Sequence, residues 1–126
     1  MERFVWICLA GAAGTGTRYL IALWADRSFG TAFPYGTLIV NLAGCFLMAA
    51  IMQLAATAAW SPALRATVTI GFLGGLTTYS SFNDETARLL QSGASGLAVA
   101  NAALTVAGGF LAGWLGVLAG RSLVNS

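Results

Sequence analysis

Four long apolar stretches divide the chain, and each is at least as long as a helix that crosses a bilayer. The first is Phe4–Trp24, the second Tyr35–Ala59 and the fourth Leu97–Gly120. A span needs about 20 mostly apolar residues, so each of these predicts one transmembrane helix. The third, Arg65–Ser92, is over-long for one straight span and fits two half-helices better. We predict an all-α membrane protein with four transmembrane helices in a single domain covering residues 1–126.

The third stretch contains GFLGGLTTYSSF, at Gly71–Phe82. Paired glycines carry a large backbone entropy cost and threonine is stiff at χ1, so this sequence disfavours a continuous helix. Unsatisfied backbone groups in lipid cost several kcal/mol each, so a break is tolerated only where protein or water satisfies them. We therefore predict that the third helix is broken mid-membrane. The hydroxyls and aromatic rings beside the break predict a site: Thr77, Thr78, Tyr79, Ser80, Ser81 and Phe82.

Composition agrees with a membrane location and excludes several functions. Of 126 residues, 58% are hydrophobic and only 8% are charged, too few to solvate a globular surface. The six basic residues are isolated arginines, so there is no basic patch for nucleic acid. The chain has no His or Lys, which argues against an enzyme, because no nucleophile–base pair can be assembled. Cys8 and Cys45 lie in apolar stretches and are interpreted as small core residues.

Polar residues inside the spans have both structural and functional interpretations. The glycine-rich AGAAGTGTRY, Ala10–Tyr19, lacks the features of a phosphate loop and favours close helix packing. For Arg18, snorkelling or structural pairing is favoured over a direct role in an ion pathway. Thr37 and Asn41 lie one helical turn apart in GTLIVNLAGCF, and spacing leaves interhelical bonding and pathway lining equally open for Asn41.

The fourth span combines a packing motif with a polar stripe. Gly109 and Gly113, like Gly116 and Gly120, have the four-residue spacing that permits tight helix contacts. Asn101 and Thr105, again one turn apart, form the stripe. Near the end of the third stretch, the i,i+3 spacing of Glu85 and Arg88 predicts an ordinary ion pair.

The arginines give no topology preference. Four spans place both termini and the Ser61–Arg65 loop on one side, with Arg3, Arg65 and Arg121, and leave Arg18, Arg27 and Arg88 towards the other. With three arginines on each side of the membrane, the positive-inside rule predicts no preferred orientation. A chain that inserts both ways can pair head to tail with itself, and four short spans enclose little on their own. We therefore expect an antiparallel dual-topology homodimer.

The motifs AGAAGTGTRY, GTLIVNLAGCF and GFLGGLTTYSSF, in this order and followed by Asp84-Glu85, resemble the Fluc (CrcB) family of fluoride channels. The resemblance covers essentially the whole chain. It implies an antiparallel homodimer in the bacterial cell (inner) membrane, with two pores that export fluoride passively from the cytoplasm and relieve its toxicity. It also implies a structural Na⁺ at the dimer interface, held by the backbone carbonyls of Gly74 and Thr77 of each subunit.

The resemblance also implies roles for individual side chains. The pore aromatics fall on Tyr79 and Phe82, and the pore amide on Asn41. The remaining matched positions are the polar track, the fourth-span pair, the first-span arginine and the acid beyond the motif: Thr37, Ser80, Ser81, Asn101, Thr105, Arg18 and Glu85. Tyr79 departs from the family pattern, which usually has Phe there, and its hydroxyl adds a hydrogen-bond donor.

Two other functions are compatible with parts of the sequence. A small four-span multidrug transporter coupled to protons can also insert both ways, but it needs a membrane-embedded carboxylate, and Phe4–Trp24 contains none. A scaffold subunit of a larger complex is compatible with the composition but leaves the helix break without a purpose.

Overall fold

The chain is entirely helical and contains no strand. The structure, a computed structural model, covers Met1–Ser126. Its α-helices are, in order, α1 (Glu2–Phe29), α2 (Tyr35–Thr57), α3 (Pro62–Ala66), α4 (Gly74–Leu76), α5 (Tyr79–Gln91) and α6 (Ser95–Asn125), with a π-helical stretch at Thr67–Leu73 between α3 and α4.

Three of these helices are long and apolar enough to cross a membrane: α1, α2 and α6. Each contains the core of its predicted span, and α1 and α6 extend beyond it at both ends. Helix α1 runs on to Phe29 and stops at Gly30, which adopts a positive φ of 82°. Helix α2 ends at Thr57, two residues before the predicted boundary. The chain is thus an all-helical membrane protein, with its third apolar stretch assembled from shorter pieces.

The third stretch is interrupted at Thr77 and Thr78. Thr77 has φ −87° and ψ 156°, and Thr78 has φ −154° and ψ 120°, so two extended residues separate α4 from α5. The paired glycines, which we expected to break the helix, remain helical in α4. Extended backbone suits β-branched threonine, and the break falls there. A π-helical turn, rare and often found at functional sites, precedes it.

The glycines instead allow α1 to approach the third stretch closely. A Cβ on Gly14 would overlap the Phe72 carbonyl, and one on Gly75 would overlap the Gly11 carbonyl. On the other side of the contact, a Cβ on Gly71 would come within 2.7 Å of the Ile7 carbonyl. The close-packing interpretation of the first glycine-rich motif is therefore confirmed.

Helices α2 and α6 make a second close contact, through the later glycines of the fourth span. A Cβ on Gly116 would overlap the Phe46 carbonyl, and one on Gly120 would lie 2.8 Å from the Ala50 carbonyl. The small apolar core lies between the two contacts and consists of Val40, Leu73 and Leu76. These packed layers fix α2, the interrupted stretch and α6 around one open groove.

Candidate functional site

The groove lies between α2, the interruption and α6, and has a volume of about 830 Å³. Its polar lining comes from Asn41, Thr77, Thr78 and Thr105, and its aromatic lining includes Tyr79 and Phe82. No acidic or basic side chain lines it. The break thus opens onto an apolar groove with a few convergent hydroxyl and amide groups, the usual composition of a binding site.

Asn41 supports the break directly. Its Nδ2 donates to the Thr78 carbonyl at 3.0 Å, and its Oδ1 accepts from the Thr78 N–H at 2.8 Å. One side-chain amide therefore makes hydrogen bonds with both the N–H and the carbonyl of Thr78, which lies outside any helix. Asn41 also lines the groove, and an amide has a second N–H to offer. The structural and pathway-lining interpretations of Asn41 are therefore compatible. Its side chain bonds the Thr78 backbone and also faces the groove.

Thr78 caps the half-helix that begins at the break. Its Oγ1 accepts from the Ser81 N–H at 3.2 Å, and the same hydroxyl lies 3.2 Å from Ser81 Oγ and 3.4 Å from Ser80 Oγ. The first turn of a helix leaves N–H groups without intrahelical partners, and its dipole favours anions there. The three hydroxyls are therefore gathered at the positive end of α5.

The other side of the break presents carbonyl groups. In a continuous helix the Thr78 N–H would donate to the Gly74 carbonyl, but here it donates to Asn41, which releases that carbonyl. The Gly75 carbonyl accepts from Arg18 Nε at 3.0 Å. Arg18 is therefore paired structurally, as favoured for this residue. Helix α4 ends the continuous helical run that begins at Pro62, and the C-terminal end of that run carries the negative end of its dipole, which favours a cation.

The two rings of the motif lie side by side. The centroids of Tyr79 and Phe82 are 5.8 Å apart, and their planes meet at 61°, an edge-to-face arrangement. Tyr79 is 79% exposed, so most of its ring has no partner in the chain. Ring edges are electropositive, and the exposed edges are available to an anion or to another molecule.

Thr37 and Glu85 lie apart from the groove and contact each other. Thr37 Oγ1 donates to Glu85 Oε1 at 2.8 Å, which joins α2 to α5. The other carboxylate oxygen, Oε2, is buried without a partner. The prediction of a Glu85–Arg88 ion pair is wrong: Arg88 lies 2.8 Å from Asp84. Arg88 pairs with Asp84, at i,i+4 spacing, because both lie on the exposed face of α5, whereas Glu85 points towards α2.

The two polar residues of α6 have different surroundings. Asn101 is only 1% exposed, and its Nδ2 donates to Thr86 Oγ1 at 2.9 Å. Thr105 lines the groove. Spacing puts both on one helix face, yet only Thr105 reaches the groove, because α5 covers Asn101.

Other residues near the break acquire a role only in the folded chain. Thr78 is one of four hydroxyl residues in the motif by sequence, and in the structure it both caps α5 and holds the two contacts with Asn41. Thr86, the partner of Asn101, could have been suggested by its one-turn spacing from Phe82. The aromatic pair Phe110 and Trp114 on α6, also one turn apart, lines the groove, and Phe110 is 79% exposed.

Comparison with known proteins matches nearly all of the chain to one family. The family described as CrcB-like protein, Camphor Resistance (CrcB), matches residues 5–117. A protein named fluoride-specific ion channel FluC in Sorangium cellulosum is 49% identical over 98% of this chain and 98% of its own length. Proteins of the same name in Citrifermentans bemidjiense and Anaeromyxobacter sp. (strain K) are 47% and 45% identical, each over its full length.

These matches span the helix break, the groove and every long helix. They are far above the level at which similarity shows only a shared fold. The chain belongs to the CrcB family of multi-pass membrane proteins.

Proposed function

We propose that this chain forms a channel that conducts fluoride passively out of the bacterial cytoplasm and so relieves fluoride toxicity. The observation that carries the proposal is the uncharged groove at the helix break, where hydroxyls, an amide and ring edges converge. The relatives' shared name, fluoride-specific ion channel, agrees with this chemistry.

Fluoride is small and strongly hydrated, so a selective pore must replace its water with donors. The groove offers Asn41, Thr78 and Thr105 together with the rings of Tyr79 and Phe82. These groups stabilise an anion without a buried full charge, which would bind it too tightly to release. Ser80 and Ser81 extend the row of hydroxyls along the first turn of α5, and Thr37 and Asn101 extend the polar pathway towards the opposite end of the helix.

The driving force is the membrane potential. Hydrogen fluoride crosses lipid as a neutral acid and ionises inside. The anion then leaves through a passive pore, favoured by about 2.3 kcal/mol per charge per 100 mV. No coupled ion or chemical step is required, so the protein is a channel and not an enzyme.

The pore is completed by a second, antiparallel copy of the chain, giving a dual-topology homodimer of four-span subunits with two pores. The exposed ring of Tyr79 and the open groove support this, because both need a partner to exclude lipid. A Ser126→Cys variant in a Cys8→Ala, Cys45→Ala background tests the orientation. Impermeant thiol reagents should label about half the chains from each side of the membrane, and labelling from one side alone contradicts dual topology.

A structural Na⁺ is proposed at the dimer interface, held by the carbonyls of Gly74 and Thr77 from both subunits. The released Gly74 carbonyl supports this, since carbonyls at unwound helix ends are suitable sodium ligands. Gly74 is exposed, so a partner's backbone can approach it. When bound, the cation would supply a fixed positive charge that favours anions nearby.

The sodium assignment is tested by ion replacement, because substitutions cannot remove carbonyl groups. Dialysis of the purified protein against a buffer with only a large organic cation should lower fluoride flux, and added sodium should restore it. Unchanged flux with no cation found in the protein contradicts the assignment.

Fluoride efflux from liposomes that contain the purified protein tests the function itself. With a potassium gradient and valinomycin to fix the potential, a fluoride electrode should record rapid release, and chloride-loaded vesicles should release none. A proton-coupled transporter would instead respond to a pH gradient at zero potential. Release of neither ion above protein-free vesicles would refute the channel.

A further inference from the structure

Two arginines from different helices line a pocket at the end of the molecule that carries the termini. The pocket has a volume of about 370 Å³ and lies between the start of α1, the end of α2, and α3. Arg3 and Arg65 line it, with Trp60 beside them. It is separate from the uncharged groove described above, although Met48 contributes to both.

Neither arginine has an anionic partner in the protein. The single ion pair of the structure is Asp84–Arg88, at the other end of the molecule. Glu2 is the only acid in the sequence near this end, and it forms no ion pair with Arg3 or Arg65. The pocket therefore presents two guanidinium groups with unused donors. A guanidinium group binds phosphate through two parallel N–H···O hydrogen bonds, in bidentate geometry.

The position of the pocket places these donors at the membrane surface. Arg3 directly precedes the apolar start of the first span, and Arg65 lies two residues before the π-helical stretch. Trp60 lies in the connection between α2 and α3, and tryptophan is enriched at the level of lipid headgroups. The remaining lining is largely apolar and suits acyl chains, with Met48, Met52, Ala55, Pro62 and Ile70.

We propose that this pocket binds the phosphate of an anionic phospholipid, with Arg3 and Arg65 on the headgroup and the apolar wall along an acyl chain. A basic pocket between transmembrane helices that opens onto apolar surface is the arrangement that recognises anionic lipids. A soluble anion would use the arginines but would leave the wall of methionine and isoleucine unused. The site is independent of the fluoride pathway.

The test compares lipids on the purified protein in neutral detergent. Native mass spectrometry should retain phosphatidylglycerol in preference to phosphatidylcholine by about thirtyfold, the effect of two arginines near an anionic phosphate. The Arg3→Gln, Arg65→Gln variant should bind both lipids equally. The matched control, Arg27→Gln with Arg121→Gln, removes the same charge at residues that do not line the pocket and should keep the preference.

A second measurement needs no variant. Phosphatidylglycerol should raise the thermal unfolding midpoint of the parent protein above that in phosphatidylcholine, and inorganic phosphate at the same concentration should not. Equal shifts with the two lipids overturn the proposal, as does an equal shift with inorganic phosphate, which would make the pocket a general anion site. Loss of the preference in the Arg27, Arg121 control as well would assign it to net charge alone.

Discussion

Asn41 offers the sharpest perturbation of the helix break, because one side chain satisfies both backbone groups of Thr78. Replacement of Asn41 by Leu keeps a similar volume and removes both hydrogen bonds. Each buried group left without a partner costs about 1–3 kcal/mol, so the two together cost about 2–6 kcal/mol. Interhelical polar contacts in membranes average only about 0.6 kcal/mol, because the unfolded chain also finds partners. Two freed groups on one extended residue justify an expectation near 3 kcal/mol.

The loss should also change the conformation. Without Asn41, the freed N–H and carbonyl of Thr78 no longer hold the extended backbone in place, which should distort the groove and the proposed sodium ligand together. Asn41→Leu should therefore abolish fluoride efflux from liposomes. Asn41→Asp keeps the acceptor for the Thr78 N–H but sets a carboxylate against the Thr78 carbonyl and into the anion path. An unpaired carboxylate facing a carbonyl oxygen is repulsive and costly to bury, so this variant should lose at least as much stability as Asn41→Leu, and all of the flux.

Unfolding by sodium dodecyl sulfate in mixed micelles, followed by tryptophan fluorescence, measures the stability change. Gln53→Leu is the matched control, since this amide lies on the same helix and its side chain makes no hydrogen bond. The stem of Gln53 packs against Gly120, and Leu keeps an apolar stem of similar volume there, so the change in stability should stay below about 1.5 kcal/mol and flux should be intact. If Asn41→Leu behaves like Gln53→Leu in both assays, Asn41 does not hold the break.

Three further substitutions test other parts of the site. Phe82→Ile removes a positive ring edge and should slow fluoride efflux at least about tenfold, or ~1.4 kcal/mol, whereas Tyr79→Phe keeps the edge and should conduct. Arg18→Met leaves the Gly75 carbonyl without its donor and should lower the free energy of unfolding by about 1–3 kcal/mol. Gly14→Ala forces α1 away from the π-helical stretch and should cost about 1–3 kcal/mol, as overpacking does.

Each of these has a control within the chain. If Tyr79→Phe is inactive while Phe82→Ile conducts, the tyrosine hydroxyl carries the chemistry and ring edges do not. Arg27→Met removes an arginine that makes no ion pair and should leave stability unchanged; equal losses at Arg18 and Arg27 would indicate a general charge effect. Gly16→Ala introduces a methyl into open space, so it should be tolerated where Gly14→Ala is not.

The sequence alone determined the class of protein and the place of the site. Four long apolar stretches in a chain with only 8% charged residues are stable only in lipid. The helical membrane fold therefore followed from composition and length. The conflict between an apolar segment and the Gly-Gly and Thr-Thr pairs located the interruption within a few residues. The order and spacing of three motifs then indicated the family, which comparison confirmed.

The tertiary structure decided which residue performs which task. Helix propensity disfavoured both the glycine pair and the threonine pair, but only Thr77 and Thr78 are extended. Gly75 stays helical and is needed because α1 approaches it too closely for a Cβ. Spacing on α6 grouped Asn101 with Thr105, and only packing against α5 separates them. Local periodicity fixes the face of a helix, but which neighbour covers that face depends on contacts between residues far apart in the chain. The pairing of Asn41 with Thr78, 37 residues away, could be known only from the folded molecule.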